Sequence, residues 1–155
     1  MKYMRLLAAT AFLLTALSAS AYRITGIVTF IKDGDTIEIL SNNRPYRIRL
    51  NGIDCPEKKQ AFGNRAKQYT SELCYRKLVT ANITDTDRYG RYIADVKLPS
   101  GRVLNEELLK AGLAWHYKLY SQSKKLAELE RISRKAKRGL WSQKDPIPPW
   151  KFRRK

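Results

Sequence analysis

Acidic side chains are scarce in this chain, 14 Asp plus Glu against 31 Lys plus Arg, so their positions are informative. Asp33 and Asp35 lie two residues apart at a strand–turn junction, and Asp54 and Glu57 lie in the loop after a third extended segment. If the segments flanking Ser41-Asn42-Asn43 pair as a hairpin, Asp35 comes close to Asp54, with Glu57 one loop-width away. Carboxylates gathered in a partly buried place repel strongly unless a cation stands between them. Ligation by oxygen alone suits a hard cation, Ca²⁺ or Mg²⁺. Arg49 ends the third segment beside these acids, and Arg91 follows the turn Asp87-Arg88-Tyr89-Gly90. A guanidinium fork pairs bidentately with phosphate oxygens, which an ammonium cannot do. In phosphodiester hydrolysis, charge builds on the non-bridging oxygens of a five-coordinate phosphorus. A cation and two arginines would hold that charge, and a carboxylate that is not a ligand could take a proton from the attacking water. Each residue alone also has a plainer reading, an Asp as a turn or cap residue and an Arg as a structural ion-pair partner.

The elements that must position these groups follow from pattern. Tyr22–Phe30, Thr36–Leu40 and Arg44–Leu50 are β-branched and alternate, predicting three strands of an antiparallel meander. Residues 51–63 read as loop, and Ala66, Tyr69, Leu73 and Cys74 recur at helical spacing within Asn64–Tyr75. Leu78–Thr84 and Tyr92–Leu98 read as two further strands, split by the polar turn Asp85–Gly90. Asn105 is placed to cap a short helix that ends at Gly112. Ser123 is placed to cap a longer one with Leu126, Leu129, Ile132 and Ala136 on one face and Gly139 as its stop. Five short strands, with helices after the third and fifth, predict an α+β fold: a five-stranded OB-type β-barrel with three α-helices. The Pro-rich basic tail, 145–155, reads as extended with its middle packed back on the domain.

With 155 residues, one domain is expected. A formal charge of +17 calls for a polyanionic partner and disfavours self-association, so a monomer is expected. Lys2 and Arg5, the apolar run Leu6–Leu17 and then Ala19-Ser20-Ala21 form a secretory signal with a cut after Ala21. The run is too short for a span, which takes about 20 residues, so no stable membrane association is expected. Cutting there removes Lys2 and Arg5 and no acid, leaving 29 basic against 14 acidic side chains in a secreted or periplasmic protein. Cys55 and Cys74 either form one disulfide or are two buried thiols. With His116, they are too few and too scattered for a four-ligand zinc site.

Asp33-Gly34-Asp35-Thr36, the run Arg49-Leu50-Asn51-Gly52-Ile53-Asp54-Cys55-Pro56-Glu57, and Asp87-Arg88-Tyr89-Gly90-Arg91 resemble the three signature stretches of the staphylococcal nuclease (thermonuclease) family. Asn105-Glu106, Ala111-Gly112-Leu113-Ala114 and Arg138-Gly139-Leu140-Trp141 resemble its helical half, and the likeness runs in order from about residue 24 to 143. The resemblance implies a Ca²⁺-dependent nuclease acting on DNA and RNA and leaving 3′-phosphates. By the same likeness Asp35 and Asp54 would be side-chain ligands, and Cys55, where the family often has Thr, would offer its backbone carbonyl. Glu57 would be the general base, Arg49 and Arg91 the phosphate clamp, and Asp33 an acid supporting the ligands from behind. Arg88 and Tyr89 match the family's nucleotide contact, and Tyr117 and Tyr120 are carried over as substrate-binding.

Trp115, His116, Tyr117 and Tyr120 form an aromatic cluster suited to base stacking without sequence choice, or else to packing the barrel end. His116 reads as a surface or packing residue, and Arg153, Arg154 and Lys155 as nonspecific attraction for a polyanion rather than chemistry. Two other readings compete. A noncatalytic nucleic-acid-binding module on the same barrel would gain nothing from acids facing phosphate. A membrane-active cationic protein would need the narrow apolar face of the Ser123–Arg138 helix, which the core also requires.

Overall fold

The alternating pattern folds as a closed barrel. The computed structural model describes residues 22–154, so the signal peptide expected at 1–21 lies outside the described residues. β1 (Arg23–Asp33), β2 (Thr36–Ser41) and β3 (Arg44–Leu50) form the meander. After a two-residue strand β4 (Ile53–Asp54) and helix α1 (Gly63–Cys74) come β5 (Leu78–Thr86) and β6 (Tyr92–Lys97). The barrel order is β1-β2-β3-β6-β5, closing back onto β1, with every pairing antiparallel except β3 with β6. This is the α+β, OB-type architecture expected. β1 runs three residues past Phe30 because register shifts between Val28 and Phe30 and between Ile31 and Asp33 let it bend with the barrel wall.

Inward positions of all five strands fill the interior, among them Val28, Ile37, Ile39, Ile48, Ala81, Ala94 and Val96, all essentially inaccessible. Each fully buried Ile or Val there contributes about 1.5–3 kcal/mol. α2 (Leu104–Lys110) closes one side of this core with Leu104, Leu108 and Leu109. The two-residue β7 (Trp115–His116) pairs antiparallel with β4, α3 (Lys124–Lys135) follows, and a 3-10 turn (Gly139–Ser142) leads to a short α4 (Pro149–Phe152).

Several local expectations need correction. Ser123 does cap α3, its hydroxyl accepting from the Leu126 amide at 3.2 Å. Asn105, however, is inside α2, whose N-cap is Val103 with no side-chain cap. Its buried amide instead donates to the carbonyls of Asn51 (2.9 Å) and Ala94 (3.1 Å) and accepts from the Val96 amide (3.1 Å), tying the end of β3 to β6. A buried amide that satisfies three backbone groups is worth more there than at an exposed cap. α3 buries Leu126, Glu130 and Ser133, whereas Ile132 is exposed, and the helix ends at Lys135 rather than running to Gly139. The stretch 51–63 is not all loop, since Ile53 pairs with His116 and Asp54 with Trp115. The tail is not simply extended, because Pro148-Pro149 pre-set the backbone for one helical turn.

Candidate active site

Topology puts the acids together. Thr36 pairs with Arg49 across β2–β3, and the Leu50 amide donates to the Asp35 carbonyl at 2.8 Å, so Asp35 flanks the end of β3. β4 then turns Asp54 back toward it. Both carboxylates lie against one nitrogen, Nη2 of Arg49, Asp54 Oδ1 at 2.9 Å and Asp35 Oδ2 at 3.3 Å. The same guanidinium donates through Nη1 to the carbonyls of Leu50 (2.9 Å) and Ile53 (2.8 Å). The Cys55 amide donates to Asp35 Oδ2 at 2.6 Å, and the Asp35 amide donates to Asp33 Oδ1 at 3.2 Å. Asp33 therefore holds the backbone of Asp35.

The electrostatics of this group follow from burial. Loss of water, followed by repulsion from Asp35, pushes the Asp33 carboxyl up to about 7. Burial raises Asp54 too, against the opposing hydrogen bond from Arg153 and charge of Arg49. Burial disfavours the Arg49 charge, but Asp35 and Asp54 outweigh it and hold the guanidinium above its ordinary range. The carboxylates of Asp35 and Asp54 are both buried, and a donor set of oxygen atoms is the kind a hard cation takes. Asp35, Asp54 and the Cys55 carbonyl are the groups available to hold it. Among the described residues no three Asp, Glu, His or Cys side chains are close enough to form a metal site as they stand. Two guanidiniums lie against the acids instead, those of Arg49 and Arg153.

The second guanidinium is Arg153, assigned from sequence to nonspecific attraction. It is paired instead: Nη2 to Asp54 Oδ2 at 2.8 Å, and Nη1 to Glu57 Oε1 at 2.6 Å and Asp54 Oδ1 at 3.3 Å. Gln60, also missed from sequence, secures Glu57 and the tail together. Its Oε1 accepts from the Glu57 amide at 3.0 Å and its Nε2 donates to the Ile147 carbonyl at 2.6 Å. The one signal that could have drawn attention to the tail is Trp150, a large ring in a polar stretch that has to find cover.

Arg91 is not joined to the acids. Arg49 faces Ile93 across β3–β6, so Arg91 stands two residues before that position. Asp87 holds it, Oδ2 accepting from Nε at 2.7 Å, while Oδ1 accepts from the amides of Tyr89 (2.9 Å) and Arg91 (3.0 Å). Burial alone would raise the Asp87 carboxyl, but these bonds prevail and hold it below its usual range. Tyr89 is exposed, and Arg88 lies over its ring with Nη2 donating to its hydroxyl at 2.7 Å.

The β4–β7 pairing puts the aromatic cluster beside Asp54. Tyr117 donates its amide to the Gly52 carbonyl at 2.9 Å and meets Tyr120 edge-on at 4.8 Å, with Tyr120 largely in solvent. Trp115 packs edge-on against Trp141 at 4.4 Å, so this ring belongs to the core at the barrel end. His116 is buried, its amide donating to Glu130 at 3.1 Å and its Nε2 bonded to Ser121 at 3.1 Å, and burial lowers its pKa. It is a packing residue. Cys55 and Cys74 are free buried thiols, Cys74 donating to the Thr70 carbonyl at 3.1 Å.

Gly63, opening α1, links helix to site. A Cβ there would collide with the Glu57 carbonyl, which is backbone and has no easy escape. Gly63→Ala is expected to cost about 1–3 kcal/mol, at about 2–4 °C of melting temperature per kcal/mol. Circular dichroism melts check this, and an unchanged melting temperature would mean the Glu57 loop yields freely.

Comparison with known proteins agrees with this architecture. Residues 47–143 match the family model described as Staphylococcal nuclease homologue. The chain is 42% identical over 130 residues to an uncharacterized endonuclease of Escherichia coli O157:H7, covering 84% of this chain and 85% of that protein. It is 37% identical over 161 residues to a micrococcal nuclease of Shigella flexneri, covering 97% and 92%. A probable staphylococcal-like nuclease of rice (Oryza sativa subsp. japonica) is 37% identical over 142 residues, 92% of this chain but 36% of that longer protein.

Proposed function

The chain belongs to the staphylococcal nuclease homologue family, and from that premise we propose that it is an exported, Ca²⁺-dependent nuclease that hydrolyses the phosphodiester bonds of both DNA and RNA to 3′-phosphate products. The observation that carries this reading is the convergence of Asp35 and Asp54 on one Arg49 nitrogen at the barrel end, with Glu57 adjoining them through Arg153. Asp35, Asp54 and the Cys55 carbonyl would hold the cation, whose charge would offset that gathering on the phosphate. Glu57, partly open to solvent, would accept a proton from the attacking water. Arg49 would fix the angle between the two carboxylates and, with Arg91, stabilise the phosphate. Arg91 is suited to this because among the described residues only its Nε is hydrogen-bonded, while its guanidinium also lies 5.6 Å from the centre of the Tyr89 ring. Arg88, Tyr89, Tyr117 and Tyr120 would contact the nucleotide, the exposed rings of Tyr89 and Tyr120 offering sequence-tolerant stacking.

Export rests on the 1–21 signal, with the nuclease domain following to about residue 144 and the basic tail after it. Strong like charge favours a monomer. No helix among the described residues is long and apolar enough to cross a membrane.

The test is digestion of DNA and of RNA with Ca²⁺, with Mg²⁺ and with chelator. Cutting of both substrates is expected with Ca²⁺, less with Mg²⁺ and none with chelator, reversed by added Ca²⁺. Undiminished cutting in chelator would remove the cation from the reaction. Tight binding without cutting under every condition would leave a noncatalytic binding module.

A further inference from the structure

The tail occupies both halves of the proposed site at once. Trp150 lies flat on Tyr117, ring centres 5.1 Å apart and planes 6° apart, the geometry a stacked nucleobase would adopt. It also meets Trp115 edge-on at 5.6 Å, and the preceding Pro149 is buried. Three residues on, Arg153 bridges Asp54 and Glu57 through both terminal nitrogens. Gln60 fastens the start of this segment at Ile147. We propose that residues 147–153 form an autoinhibitory strap, with Trp150 standing in for a base and Arg153 standing in for the divalent cation.

The physical case is one of competition. A buried carboxylate such as Asp54 must be paired; Arg49 pairs its Oδ1, and Arg153 takes the remaining oxygen, Oδ2. Arg49 leaves Asp54 Oδ2 open to a cation, whereas Arg153 covers that oxygen, so a divalent cation that takes Oδ2 must displace Arg153. The exchange is local and reversible because the Arg153 side chain is itself well exposed, and α4 is only four residues long. A polynucleotide needs the Tyr117 face and would displace Trp150 by the same exchange. Binding of either ligand to the open state therefore shifts the strap outward. The strap would keep a strongly basic nuclease closed until cation and strand are both present.

This inference rests on the reading of Asp35 and Asp54 as cation ligands, and its test separates the two. Ca²⁺ affinity is measured by calorimetry on the full chain, on Arg153→Gln and on Trp150→Ala, the latter releasing the strap without touching the acids. Amide hydrogen exchange of residues 150–154 is followed with and without Ca²⁺. Both variants are expected to bind Ca²⁺ about tenfold tighter, the factor for a strap closed in about nine molecules of ten, and exchange in the strap should rise on adding Ca²⁺. Ca²⁺ binding with equal affinity in all three proteins, and a strap equally protected throughout, would overturn the strap and leave the cation site intact. No Ca²⁺ binding by any of them would overturn both.

Discussion

Arg49→Ala is expected to damage the fold and the reaction together. In the absence of cation it leaves Asp35 and Asp54 buried with one partner fewer, and two carbonyls, Leu50 and Ile53, without their donor. Breaking a buried ion pair by removing one partner costs about 3–5 kcal/mol, so a drop in melting temperature of ten degrees or so is expected at about 2–4 °C per kcal/mol. Ca²⁺ should return part of that loss, because it answers the same two carboxylates. Turnover should fall at least about 10²-fold, the scale of losing one group that stabilises the transition state. Thermal melts with and without Ca²⁺ beside cleavage rates check all three statements. An Arg49→Ala protein as stable as the parent would show that the acids do not depend on this guanidinium.

Glu57→Gln and Arg91→Ala should separate chemistry from stability. Glu57 is partly exposed, and the Arg91–Asp87 pair sits near the surface, where such pairs are worth about 0–1 kcal/mol. Melting temperatures should hardly move. Turnover in each should nevertheless fall at least about 10²-fold, Glu57→Gln by losing the proton acceptor and Arg91→Ala by losing its hold on the phosphate. Rates measured at saturating substrate, set against KM, show whether the loss falls on turnover. A Glu57→Gln protein of undiminished rate would take Glu57 out of the mechanism.

What could be read from sequence was what is set locally. Alternation gave β3 at its true bounds, because Arg44–Leu50 is half-buried in a two-sided ladder with a turn of its own at Asn42-Asn43, both in the left-handed region. Ser123 was legible as a cap because capping involves only the next three residues. The pairing of β2 with β3 made the nearness of Asp35 and Asp54 a matter of hairpin geometry. Asn105 misled for the converse reason: its residue type suits a cap, but tertiary contact with Asn51, 54 positions away, decides its place. β4 and β7 are two residues each, too short for any period to register, yet they bring the aromatic cluster to Asp54. Arg153 was the least legible of all. It lies 99 residues from Asp54, in a run of basic residues where no local signal distinguishes it from its neighbours.

If the carboxylates of Asp35 and Asp54 hold the cation that cleavage requires, removing one of them must weaken the response to that cation. Cleavage rate as a function of buffered free Ca²⁺, compared between the parent chain and Asp35→Asn, addresses it most directly. The half-saturating Ca²⁺ concentration should rise by about tenfold or more in Asp35→Asn, with activity recovering as Ca²⁺ is raised. A Ca²⁺ dependence identical in the two proteins would contradict the claim.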